Sequence, residues 1–210
     1  MRAGLPYAVA AGLVAISFGV VAEPVMGTVA PIVMSATVFA GSAQFAALAV
    51  LAGGGGAAAA VVAGILLNAR YGPMGIALAP SLSGGRARRA TTGQAMVDQS
   101  WAMASRGSGR FDPAFMVGAT LPAYPMWVAG TVTGVLAGDL IGDPGRYGLD
   151  AVFPAFFLAL LVAELRNRRA RPSAAAGAAV ALVLLPVAPV GVAIIAASAG
   201  ALLGLRRKTA

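Results

Sequence analysis

Few side chains in this sequence could do chemistry, and they are conspicuous because nearly everything around them is apolar. Arg70 lies thirteen residues into the apolar stretch 57–81, beside Asn68 and the helix breakers Gly72 and Pro73. A guanidinium stays charged at any accessible pH, and an ionisable group deep in an apolar span points to function by default. Its planar fork matches a carboxylate bidentately, which suits an amino acid or organic acid as substrate. The competing role is structural: if 57–68 is a complete short span, Arg70 snorkels to an interface. The second group is Gly41-Ser42-Ala43-Gln44-Phe45, inside the stretch 28–52. Polar groups left unpaired in hydrocarbon are costly. One resolution is a local unwinding at Gly41-Ser42 that lends backbone groups to a substrate's charged end, with Phe45 against its side chain. The other is that Ser42 and Gln44 bond a neighbouring helix and Gly41 permits close packing. Asp98, in the mildly amphipathic run 94–105, either couples protons, meets a substrate amine, or is a solvated loop acid. Trp101 in the same run would anchor it at a membrane surface.

The elements that must position these groups follow from composition. Of 210 residues, 59% are apolar and 10% charged, against about 25% charged in a soluble domain. The apolar stretches run 4–22, 28–52, 57–81, 113–138, 149–165 and 174–204. Backbone in lipid must satisfy its own hydrogen bonds, so each reads as helix, and the alternation of barrel strands is missing. The sequence therefore predicts an all-α, polytopic transmembrane bundle of six to seven hydrophobic segments, forming one domain over 1–210. Histidine and cysteine are both absent, which removes Ser-His and Cys-His catalysis, Cys/His zinc sites and haem ligation by His. An aspartyl dyad would need two buried carboxylates, and Asp98 and Asp139 lie at or beyond membrane edges. No enzyme activity and no cofactor are expected.

Thirteen of the 15 basic residues fall in four flanking clusters: Arg2; Arg86, Arg88, Arg89, Arg106 and Arg110; Arg166, Arg168, Arg169 and Arg171; and Arg206, Arg207 and Lys208. Acids sit elsewhere, at Glu23, Asp139, Asp143 and Asp150. The positive-inside rule puts 82–112, 166–173 and both termini in the cytoplasm. No aromatic or helical reading surface accompanies the basic clusters, so nucleic acid is not an expected partner. Leu5-Pro6 and Leu121-Pro122 stand 116 apart, as do Pro73-Met74-Gly75-Ile76-Ala77 and Pro189-Val190-Gly191-Val192-Ala193, while Val38-Phe39 and Val152-Phe153 stand 114 apart. That offset predicts half-repeats of three segments, 1–81 and 113–204, joined by the basic linker 82–112, a common plan in transporters. Breaks at Asn68–Pro73 and Pro186–Pro189 predict broken or re-entrant third segments; inverted and parallel halves both remain open. Residues 1–22 also resemble a signal peptide, but the repeat makes them part of the fold. Gly130, Gly134 and Gly138 form a small-xxx-small ladder for helix packing, repeated at Gly200 and Gly204. Gly53–Gly56 is a turn between spans, since no Gly-Lys-Ser/Thr follows it.

Together, Phe39-Ala40-Gly41-Ser42-Ala43-Gln44-Phe45, Leu67-Asn68-Ala69-Arg70-Tyr71 and Asp98-Gln99-Ser100-Trp101-Ala102 resemble the large subunit of the AzlC-type branched-chain amino-acid exporters (LIV-E family), as does Gly148-Leu149-Asp150. The resemblance spans roughly 4–204. At Tyr71 and Gln99 this chain departs from the family's more usual His and Glu. The resemblance implies proton-driven export of leucine, isoleucine, valine and also methionine across a bacterial inner membrane, with a small AzlD-like membrane subunit as partner. The substrate-binding residues expected are Gly41, Ser42, Gln44, Phe45, Asn68 and Arg70, with Asp98 for coupling. The alternative is a non-transporting structural or regulatory membrane subunit of a two-component complex.

Overall fold

The structure is a computed structural model. It describes residues 4–107, 109–141, 144–148, 151–152, 155, 158, 161–162, 165–166, 168, 170–188, 196–197 and 200. Arg2, Asp143, Asp150, Arg169, the 189–193 landmark, Gly204 and Arg206 to Lys208 lie outside the described residues. Among the described residues, the α-helices include α1 (Gly4–Met26), α2 (Val29–Val38), α3 (Gly41–Ala52), α4 (Ala57–Asn68), α5 (Tyr71–Leu78), α6 (Arg86–Gly93), α7 (Asp98–Ala104), α8 (Pro113–Ile141) and α9 (Arg171–Leu184). Gly4–Met26 and the stretch Ala57–Ser81 are long and apolar enough to cross a membrane. At 29 residues α8 is longer, roughly 43 Å at the usual helical rise, but Pro122, Pro125 and Trp127 make it less uniformly apolar.

Helices α1 and α8 form the spine, and glycines set their separation. A Cβ on Gly134 would lie 2.2 Å from the Ile16 carbonyl oxygen, one on Gly130 2.4 Å from that of Gly12, and one on Gly19 2.4 Å from that of Thr131. Backbone meets backbone here, which dispersion rewards and any larger residue forbids. The ladder predicted on α8 therefore packs within the chain, against glycines of α1. Gly138 lies beyond the crossing, with nothing within 4 Å of its would-be Cβ. The contacts step forward on both helices together, Gly4 on Ala119, Gly12 on Met126, Gly134 on Ile16 and Gly19 on Val135, so α1 and α8 run parallel.

The stretch 28–52 is not one continuous helix. Ser35 and Gln44, nine residues apart, share a 2.8 Å hydrogen bond. A continuous helix would separate them by about 13 Å. Met34 and Leu48 likewise share one apolar cluster with Phe18 and Ala22 of α1. Helices α2 and α3 thus form a hairpin with its apex at Phe39-Ala40, level with the middle of α1, and α3 climbs back to the end where α2 began. Gly54 (φ +79°) turns the chain into α4, which descends antiparallel to α3. Ala69 and Arg70 keep right-handed helical dihedrals, so α5 continues downward. It ends with Leu78 packed on Ala104 and Met116.

This path changes the expected topology. Over residues 4–81 the chain reverses within 28–52 and not within 57–81, and the interruption at Asn68–Arg70 is a jog in a run that continues. Residues 4–81 run the length of the molecule twice and form one hairpin, which returns the chain to the end where α1 starts. That is why α8 can run parallel to α1. The segment 82–112 is also more than a linker. Its α6 and α7 fold back under the hairpin, and Trp101, expected at a membrane surface, donates to the Met74 carbonyl (3.3 Å) and packs on Phe111 at 4.8 Å.

Candidate functional site

The apex is held by a closed ring of buried hydrogen bonds. Trp127 Nε1–H donates to Gln44 Oε1 (3.0 Å), and Gln44 Nε2 donates to Ser35 Oγ (2.8 Å). Ser35 lies 2.7 Å from Thr131 Oγ1, which donates to the Trp127 carbonyl (3.1 Å). Thr131 has one proton to give and gives it to that carbonyl, so Ser35 is the donor to Thr131. Gln44, Ser35 and Thr131 are fully buried. The ring is complete, and a complete network in low dielectric fixes one arrangement. Gly41 is required beside it, because a Cβ there would meet the Trp127 ring at 2.7 Å. Trp127→Phe should leave Gln44 Oε1 buried without a donor and cost about 1–3 kcal/mol, read as a lower thermal unfolding midpoint in detergent.

The helix break falls before the Gly-Ser pair. Phe39 is left-handed (φ 40°, ψ 48°) and Ala40 extended (φ −138°, ψ 86°), whereas Gly41 and Ser42 open α3. The ring of hydrogen bonds explains the shift, since Gln44 can reach Ser35 only if the chain reverses at 39–40. Ala40 supplies no side-chain cap, and the first helical bond of α3 runs from Gln44 N–H to Ala40 C=O. The amides of Gly41 and Ser42 therefore begin the helix as donors without an intrahelical acceptor.

Arg70 ties three elements together at this level. Its Nε donates to Asp98 Oδ1 (2.8 Å) and an Nη to Asp98 Oδ2 (2.6 Å), the bidentate geometry of a strong pair. It also donates to Ser42 Oγ on the hairpin and to the Leu67 carbonyl on α4, and its guanidinium sits 4.9 Å from the centroid of the Tyr71 ring. Asp98, which in sequence resembles a solvated loop acid, is thus the counter-ion of Arg70, 28 residues away. The side chains retain 29% and 26% exposure.

A cavity of about 80 Å³ lies beside Asp98, lined by Tyr7, Ala11 and Val14 of α1, the apex at Phe39–Ser42, Tyr71, the start of α7 at Val97–Gln99 and Trp127. By the space one water needs, it would hold on the order of five water molecules, or one small solute. Its wall has helix-start residues and the Asp98 carboxylate on one side and apolar side chains on the other, with Arg70 behind Ser42 and Asp98.

Three comparisons bear on this chain. The family model described as AzlC protein matches residues 6–141. The chain belongs to the AzlC family. A relative in Archaeoglobus fulgidus named uncharacterized membrane protein is 33% identical over 194 residues, covering 90% of this chain and 85% of that one. No solved structure matches. The AzlC family is associated with membrane transport, and this AzlC chain is a membrane protein with an all-helical fold among its described residues.

The AzlC match ends with α8, so the whole cavity lies inside it. Of the residues singled out in the sequence, Gly41, Ser42 and Asp98 line the cavity and Arg70 binds two of those three. Gln44 does not line it, and both its amide atoms are engaged in the buried ring. Phe45 packs edge-on against Phe18 at 5.2 Å, on the far side of α3. Asn68 ends α4 with its Oδ1 buried and unpartnered, facing two larger cavities of about 600 and 670 Å³. Tyr7, Tyr71 and Trp127 were not anticipated as lining. An aromatic in mid-helix flanked by Pro125, Gly130 and Thr131 was the available signal for Trp127.

Proposed function

We propose that this AzlC chain is the large subunit of a proton-driven secondary transporter that exports branched-chain amino acids across a bacterial inner membrane with a small AzlD-like subunit. The observation that carries this reading is the apex cavity, which presents opposite chemistries to the two ends of such a solute. The amides opening α3, with the positive charge of Arg70 behind Ser42, suit a carboxylate. Asp98 and the carbonyl end of α2 suit an ammonium group. Ala11, Val14, Phe39 and Trp127 suit a branched aliphatic side chain. Discontinuous helices whose ends face a solute at mid-depth are a recurrent transporter device. Methionine, whose side chain is of similar size, is the further solute proposed.

The end of the molecule shared by the start of α1 and the 82–112 segment carries Arg86, Arg88, Arg89, Arg106 and Arg110, and by the positive-inside rule it is the end proposed to face the cytoplasm. Asp98, at that end of the cavity and paired with Arg70, is the residue proposed for coupling. The test is efflux of labelled leucine, isoleucine and valine from loaded vesicles holding the chain and its small subunit. All three should leave when a proton gradient is imposed, whereas lysine and glutamate should stay. Retention of all three refutes the reading and favours a non-transporting subunit.

A further inference from the structure

The apex cavity has a larger neighbour on the side of the basic segment. This vestibule of about 600 Å³ is lined by Thr91 and Gln94 at the end of α6, by Thr120 and Tyr124 of α8, and by Asn68. The two cavities share four lining residues: Phe39, Ala40, Tyr71 and Val97. These four form the partition between them. Phe39 is its centre. Its ring stands edge-on to Tyr124 of the vestibule at 5.1 Å and to Trp127 of the apex cavity at 6.3 Å. Its backbone is the one non-glycine position among the described residues with positive φ, 40°. A bulky residue in the left-handed region is uncommon and marks a position held there by its surroundings. Phe39 also sits where the hairpin reverses, outside both helices, so its ring can turn about its own side-chain torsions without moving α2 or α3. Tyr71, the facing partition residue, lies beneath the Arg70 guanidinium, which places the ion pair against the same partition.

We propose that Phe39 is the gate between a vestibule open toward the basic segment and the apex cavity, and that solute enters by displacing its ring past Tyr71 and Val97. The proposal rests on the reading of the apex cavity as a solute site, but its test needs no solute.

The chain has no cysteine, so single cysteines report access directly. Ala11→Cys places a thiol in the apex cavity and Gln94→Cys one in the vestibule, each probed with a membrane-impermeant thiol reagent from the face carrying the basic segment. With Phe39 intact, Cys at position 94 should label quickly and Cys at position 11 slowly. Phe39→Ala should raise labelling at position 11 at least about tenfold and leave position 94 unchanged. If Phe39→Ala fails to insert, seen as loss of labelling at position 94, Val97→Ala thins the same partition from its other side and should give the same rise. Labelling at position 11 that is already fast with Phe39 present, or that stays slow in an inserted partition variant, overturns the gate. Leucine export could persist in either case, so failure here is separable from failure of the transport reading.

Discussion

Gly134→Ala is expected to be the most damaging single methyl in this protein. The added Cβ would sit 2.2 Å from the Ile16 carbonyl oxygen and 3.0 Å from the Gly19 Cα, all backbone that cannot swing aside. Relief requires α1 and α8 to separate, and that separation also strains the Trp127–Gln44–Ser35–Thr131 ring, which is anchored on α8. Overpacking typically costs 1–3 kcal/mol, and a backbone-on-backbone clash lies at the top of that range, about 3 kcal/mol or more. Gly138→Ala on the same helix meets nothing within 4 Å and should be neutral. Thermal unfolding of the two variants in the same detergent measures the contrast. Equal midpoints would mean that the helices do not cross at Gly134.

Breaking the Arg70–Asp98 pair should have the next largest effect. Asp98→Ala leaves a guanidinium half-enclosed with only neutral acceptors, Ser42 Oγ and the Leu67 carbonyl. Losing one partner of a buried pair costs about 3–5 kcal/mol, because the other charge stays desolvated. With 29% and 26% exposure the cost here is lower, about 2–3 kcal/mol. Arg70→Ala should cost a similar amount, and the double variant less than the sum, since each single change strands the other's charge. Arg70→Lys keeps the charge but loses the bidentate fork, so it should restore part of the stability and little of the export. A double-mutant cycle in unfolding free energy checks this, and additive single effects would show that the pair is not coupled. The Arg106–Asp112 contact, at 2.8 Å between side chains 57% and 35% exposed, makes a useful contrast. Arg106 draws the Asp112 carboxyl below its usual range, yet an exposed pair of this kind contributes little.

The membrane class and the unusual placement of Arg70 were legible in the sequence because both depend on composition along the chain. Charge is scarce here, so one arginine inside an apolar stretch stands out. Its partner was not legible. Asp98 sits among the arginines of 82–112, and nothing local distinguishes a loop acid from one that folds back 28 residues onto a guanidinium. The hairpin was hidden for a related reason. Residues 28–52 form one apolar run of spanning length, and neither Phe39 nor Ala40 is a helix breaker. The reversal is imposed by Gln44 reaching Ser35, a contact that exists only once the chain has turned. The Gly-Ser pair drew attention to the correct neighbourhood, and the break stands just before it. On α8 the glycine spacing marked a packing face, but its partner on α1, with glycines at 12 and 19, follows no four-residue ladder and was not anticipated.

Solute handling at the apex cavity can be tested most directly by fluorescence, because the chain holds only two tryptophans. Trp101 is packed in the 82–112 segment, whereas Trp127 lines the cavity. In Trp101→Phe, emission comes from Trp127 alone. Leucine should shift that emission saturably, lysine should not, and Arg70→Ala should abolish the response. A Trp127 signal that stays flat in protein still exporting leucine would place the solute elsewhere and contradict the site described here.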